Sequence, residues 1–329
     1  MNPSVLTERR PAVPEPFLAH RPMLHALAYR MLGSVHDAED AVQDAYLRWA
    51  AQDAEAIDNP AAFLTTVVTR LCLDRLRSAA ARRELYVGPW LPEPLPTGTA
   101  AAASGAHAAG ADPAGSGSGS GFGEDPAAAV ALRASATVGM LLLLERLSPA
   151  ERAVFVLREA FDLPYPQIGE IIEHTPESCR QLHRRARQRV GAADGRQRRS
   201  ARRPDPARER RIVEGFLAAA EGGDLDGLKK LLREDVLVLT DGGGRVSASR
   251  RPIHGAEKAA RLYAKVFPRR FVDSDYTYTS YNHQPALLVR RPTRDFVYVF
   301  DIDEDGLIAA VYLMANPDKL GHLAPGRGD

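Results

Sequence analysis

Two cysteines in 329 residues, Cys72 and Cys179, are too few for a disulfide framework or a thiolate metal cluster. Both occupy apolar positions of helical patterns and read as small core hydrophobes, so no metal and no cofactor is expected, and a reducing cytoplasm suits them. Long apolar runs are also missing. The leucine stretch over 141–144 falls far short of the ~20 residues of a membrane-spanning helix, and no charged-then-apolar leader opens the chain. A cytoplasmic protein with no membrane partner is expected. Net charge is nearly absent too, at +1, while a composition of 45% hydrophobic and 26% charged residues excludes a disordered chain.

The neutral total hides an asymmetry. Between Arg180 and Arg211 thirteen arginines face only Asp194, Asp205 and Glu209, a local excess of ten positive charges that leaves the remainder acidic. Such a stretch suits a polyanion, with a solvated charged linker as the plain alternative. The length allows three domains. Residues 97–125 are rich in Gly, Ala and Ser without apolar periodicity and read as a flexible linker, and a second break falls at about 191–206.

Upstream of the linker, Leu24, Leu27, Met31 and Leu32, then Ala38, Ala41, Val42 and Ala45, recur at helical spacing. The pair Asn59-Pro60 starts a third helix burying Phe63, Leu64, Val67, Val68 and Leu71. Downstream, helices are predicted over 132–147 and 149–161 and over a pair flanking His174-Thr175. The last third opens with helices over 208–221 and 225–233, followed by strands over 236–240, 276–281, 286–290, 296–302 and 307–313, with a helix over 257–267. The expected fold class is multidomain: two all-α domains, then an α+β domain on an antiparallel sheet.

The stretch 165–190 fits a helix-turn-helix. Ile168, Ile171 and Ile172 point inward from a short first helix, His174-Thr175 makes the turn, and Pro176 opens the second helix. Cys179, Leu182, Ala186 and Val190 share one face of that helix. The other carries Arg180, Gln181, Arg184 and Arg187, the chemistry of groove readout and phosphate contact. An exposed basic helix of a bundle is the alternative.

With these residues the chain resembles the extracytoplasmic-function RNA polymerase sigma factors, and within them the subgroup with a fused SnoaL-like domain. The helix 37–49 is similar to region 2.2, which implies binding to the β′ clamp of core RNA polymerase through Asp37, Glu39, Asp40, Gln43 and Asp44. The stretch 59–77 is similar to regions 2.3 and 2.4, which implies −10 promoter contacts from Arg70, Asp74, Arg75 and Arg77. The family often carries a small amide residue near Arg70. Residues 149–190 are similar to region 4, which implies docking on the β flap and −35 contacts from Ser178, Arg180, Gln181, Arg184, Arg185 and Arg187. The layout implied is region 2 over 15–96, a linker over 97–125, region 4 over 126–191, a basic linker over 192–206 and a SnoaL-like conical barrel over 207–322.

Three short motifs carry the subgroup likeness: Trp90, Leu91, Pro92, Glu93 and Pro94; Asp241, Gly242, Gly243, Gly244 and Arg245; Asn316, Pro317, Asp318, Lys319 and Leu320. The resemblance implies that these segments meet and that the third domain regulates the sigma core in cis without catalysis. The alternative is a DNA-binding fusion whose third domain is an enzyme or a ligand sensor. Asp241, His254, Tyr276 and Asp301 would then serve an unidentified small molecule in the cavity as acid–base groups. Each also has a plain structural reading, His254 as a packing residue and the Asp-Gly-Gly-Gly run as a turn.

Overall fold

The computed structural model describes residues 15–52, 57–97, 136–193 and 205–323. Nearly all of the linker expected over 97–125, and most of the basic stretch over 192–206, lie outside the described residues.

Three helices come first, α1 (Glu15–Leu32), α2 (Val35–Ala50) and α3 (Pro60–Glu84). Ser34 caps α2 by accepting from the Asp37 N–H, and Asn59 caps α3 by accepting from the Ala62 N–H. Their apolar stripes bury Leu24, Leu27, Met31 and Leu64 completely. An extended segment then runs to a two-residue strand, β1 (Pro96–Thr97).

The second helical unit holds α4 (Val138–Leu144), α5 (Pro149–Glu159), α6 (Tyr165–Ile172) and α7 (Pro176–Ala193). The described part of α4 is shorter than the predicted 132–147, because Thr137 caps it by accepting from the Met140 N–H. A reciprocal Ser148–Glu151 capping box starts α5. Glu173, in the left-handed conformation, turns the chain from α6 towards α7. Gly169 is required at that turn: a Cβ there would lie 2.5 Å from the His174 carbonyl oxygen. The two helical units close one continuous core, in which Leu24 and Leu64 belong with Ile168 and Cys179.

The third unit contains α8 (Pro206–Glu221), α9 (Leu225–Leu231), β2 (Leu232–Asp241), β3 (Ile253–His254), α10 (Ala256–Arg270), β4 (Asp275–Tyr281), β5 (Gln284–Arg290), β6 (Asp295–Ile302) and β7 (Ile308–Met314). The sheet order is β1-β4-β5-β6-β7-β2-β3. The expectation of an antiparallel sheet needs correcting, since β2 and β7 pair in parallel. Three hairpin reversals after α10 bring the last strand alongside β2 in the same sense. Side chains alternate between faces. Phe296, Tyr298, Phe300 and Ile302 meet the helices, whereas Val297 and Val299 pack on the other face with Leu91 and Val138 from the sigma-like part. Burial on both faces explains why β5 to β7 read as nearly continuous apolar runs.

Candidate nucleic-acid interface and interdomain joint

On α7 the inward face places Cys179, Ala186 and Val190 in the core, and Arg180, Gln181, Arg184, Arg185 and Arg187 stand exposed, with Ser178 half-buried. The expected reading face is therefore presented to solvent. Arg180 pairs with Glu177 at 3.1 Å and lies over the Tyr165 ring, its guanidinium carbon 5.7 Å from the centroid.

The residues expected at the −10 element are placed differently. Arg77 is exposed and pairs with Asp74 one turn earlier. Arg75 is turned inward: it donates to the Asp37 carbonyl oxygen at 2.9 Å and pairs with Asp44 at 2.7 Å and Asp40 at 3.7 Å. Arg70 crosses to the helix-turn-helix, donating to the Glu170 and Ile171 carbonyl oxygens at 3.1 and 3.0 Å and pairing with Glu173. These three acceptors form the C-terminal end of α6, where a cation complements the unsatisfied carbonyls and the helix dipole. The acidic face of α2 thus has an internal partner in Arg75. Glu39, Asp40 and Gln43 nevertheless stay exposed.

The three motifs converge. Lys319 Nζ sits 2.7 Å from Asp241 Oδ2 and 2.5 Å from the Leu91 carbonyl oxygen, over the Trp90 and Tyr86 rings at 4.1 and 4.9 Å. Asp241, fully buried, also accepts from the Leu91 N–H, the Tyr86 hydroxyl and the Gly243 N–H. Burial, reinforced by the hydrogen bond to this carboxylate, holds the Tyr86 hydroxyl far above its ordinary titration range, so it stays a donor. Asn316 donates to the same hydroxyl, and Arg245 pairs with Asp318. Gly243 is needed here, with φ of +56° and a Cβ position 2.3 Å from the Asn316 amide nitrogen.

Glu93 ties this joint to the helices. Its carboxylate accepts from the Ser34 hydroxyl and the Val35 N–H at 2.8 and 2.7 Å, at the N-terminus of α2. Two polar residues that the sequence did not single out complete the joint. Asn282 accepts from the Leu95 N–H and donates to the Tyr29 hydroxyl and the Ala136 carbonyl oxygen, and Gln284 accepts from the Val138 N–H. Arg152 was missed as well: buried, it donates to the Met31 carbonyl oxygen at 2.8 Å and to Glu145 at 2.7 Å.

Comparison with known proteins agrees with this geometry. Residues 17–82 match the family model "Sigma-70 region 2" and residues 139–190 match "Sigma-70, region 4". The chain is 40% identical over 315 residues to ECF RNA polymerase sigma factor SigJ of Mycobacterium tuberculosis, covering 92% of this chain and 91% of that one. The chain belongs to the ECF RNA polymerase sigma factors. This sigma factor is also 38% identical over 214 residues to a probable ECF sigma factor, SigI, of the same species, covering 65% of this chain and 64% of that one. The crystal structure of the M. tuberculosis factor SigJ superposes with a TM-score of 0.67 at 30% identity, covering 93% of this chain and 97% of that one.

The acid–base residues considered for the third domain of this sigma factor do not assemble. Asp241 is committed to the joint, His254 is exposed on β3 at one end of the strand order, and Tyr276 lies on β4 towards the other, donating to the Phe271 carbonyl oxygen. Asp301 is buried on β6. The space between sheet and helices is occupied by Phe216, Tyr263, Phe267 and Phe300, whose rings meet edge to face with centroids 4.9 to 6.1 Å apart. Among the described residues no helix is long and apolar enough to cross a membrane, and no cluster of metal-binding side chains is found.

Proposed function

We propose that this sigma factor directs promoter-specific initiation in the cytoplasm by core RNA polymerase, and that its third domain, a docking module without catalytic activity, controls in cis whether the promoter-reading domains can separate. The boundaries inferred are 15–96 for region 2, 126–191 for region 4 and 207–322 for the third domain. The exposed acidic face of α2 meets the β′ clamp, region 4 meets the β flap, Arg77 and a released Arg70 serve the −10 element, and the basic face of α7 serves the −35 element. One observation carries the regulatory part: region 2 touches region 4 through Arg70 and Ile171 at 3.0 Å. Promoter elements named −10 and −35 lie on the order of 80 Å apart along B-DNA at about 3.4 Å per base pair. The closed arrangement cannot read both elements at once, so opening is a step of initiation.

The Asp241–Lys319 joint supports a role for the third domain in that step, because it grips the segment that leaves region 2 for region 4. The test is transcription by reconstituted holoenzyme from a promoter selected with the wild-type factor. Arg180→Ala and Arg184→Ala are expected to lose specific binding, each by about 1–3 kcal/mol of discrimination, with non-specific binding retained. Lys319→Met is expected to change the transcription rate without changing the selected sequence. An unchanged rate would refute control through the joint.

A further inference from the structure

Granting that Arg180 and Arg187 read the −35 element, we propose that Tyr165, His183 and Glu159 form a positioning relay that holds these two arginines ready for DNA. His183 is the one buried histidine of α7. It lies three residues after Arg180 and four before Arg187, so all three share one side of the helix. Both ring nitrogens are engaged: Nδ1 is 2.9 Å from the Tyr165 hydroxyl and Nε2 is 2.8 Å from Glu159 Oε1. With a neutral ring, the tyrosine hydroxyl donates to Nδ1 and Nε2–H donates to the carboxylate.

Each end of the relay carries an arginine. The guanidiniums of Arg158 and Arg180 both lie over the Tyr165 ring, at 5.3 and 5.7 Å from its centroid, and Glu159 Oε1 is 3.9 Å from Arg187 Nε. Arg158 is itself tied down by the Leu163 carbonyl oxygen and Asp162. The relay thus joins α5, α6 and α7 and gives two exposed arginines fixed surfaces to rest on. An arginine held this way has less rotamer freedom to lose when it meets a base.

The experiment uses full-length protein in holoenzyme, with binding-site selection from a library randomised across the −35 region. Tyr165→Leu is expected to reduce discrimination between selected and scrambled −35 sequences roughly three- to tenfold. The preference should be lost at the base position affected by Arg180→Ala and at no other, and Tyr165→Leu added to Arg180→Ala should have no further effect. Tyr165→Phe keeps the ring but removes the hydroxyl that anchors it to His183, and is expected to restore only part of the preference. If Tyr165→Leu fails to fold, Glu159→Gln gives the second reading, with loss confined to the position that Arg187→Ala affects. Discrimination that is unchanged in Tyr165→Leu or Glu159→Gln, or lost evenly at all positions, overturns the relay. If Arg180→Ala and Arg187→Ala themselves leave discrimination unchanged, the underlying −35 assignment fails instead.

Discussion

Arg70 Nε donates to the carbonyl oxygen of Ile171 at 3.0 Å, so a side chain of α3 caps the first helix of the helix-turn-helix. Arg152 makes the reverse contact, reaching from α5 to the last turn of α1 through the Met31 carbonyl oxygen. Each promoter-reading unit therefore supplies a cation to a helix end of the other. Arg70 is half-exposed, so the contact is worth about 1 kcal/mol after solvent screening. Arg70→Ala is expected to raise the population of separated domains about fivefold, read as an increase in radius of gyration by small-angle scattering. An unchanged radius would show that the shared apolar core alone sets the closed state.

Lys319 and Asp241 form a buried ion pair, and removing one member of such a pair leaves an uncompensated charge. Lys319→Met is expected to destabilise the joint by about 3 kcal/mol, because Asp241 keeps its other donors. Urea unfolding of the full chain would show a lower midpoint. Asp241→Asn with Lys319→Met should recover part of the loss, and an additive result would contradict the pairing.

On α2, the structure separates the carboxylates that hold the fold from those free for a partner. Asp44 is bound to Arg75, so Asp44→Lys is expected to lower the thermal midpoint by several degrees, an effect on the order of 1–2 kcal/mol. Glu39→Lys with Gln43→Lys should leave the midpoint alone and abolish co-purification with core polymerase. Retained co-purification would move the polymerase surface elsewhere.

His25 gives a pH dependence. Burial lowers its pKa below 6.5, Glu39 opposing and Arg21 adding to the shift. A depressed imidazole pKa costs nothing above pH 6.5, where both states are neutral. Below it the unfolded chain takes up the proton first, so stability falls as the pH drops from 6.5 towards the folded-state value. His25→Gln is expected to reduce the difference between urea midpoints at pH 7.5 and 5.5. An undiminished difference would assign the acid sensitivity to other groups.

Much of this was legible because periodicity and capping act locally. Asn59-Pro60 and the isoleucines of α6 announced their helices, and the three motifs announced a joint through family likeness. The partners that cross the fold carry no periodic signal. Nothing near Arg70 indicates that its donors meet a helix end in another unit, and Glu93 gives no local sign that it caps α2. Asn282 offered a faint one: Asn282 and His283 sit between two β-rich runs with φ of +53° and +56°, the geometry of a two-residue hairpin turn more often written Asn-Gly. The parallel β2–β7 pair depends on strand order, which alternation along single strands does not encode.

The Asn282 side chain holds the backbone at Leu95 and again at Ala136, so the polypeptide departs from one spot on the third domain and comes back to that spot. Whatever is spliced between those two anchors, the positions of the anchors stay fixed. A cut between Leu95 and Ala136 would leave both flanking segments held by one side chain of the third domain. This site is accordingly the natural place to insert a foreign domain or to split the factor into separately expressed halves.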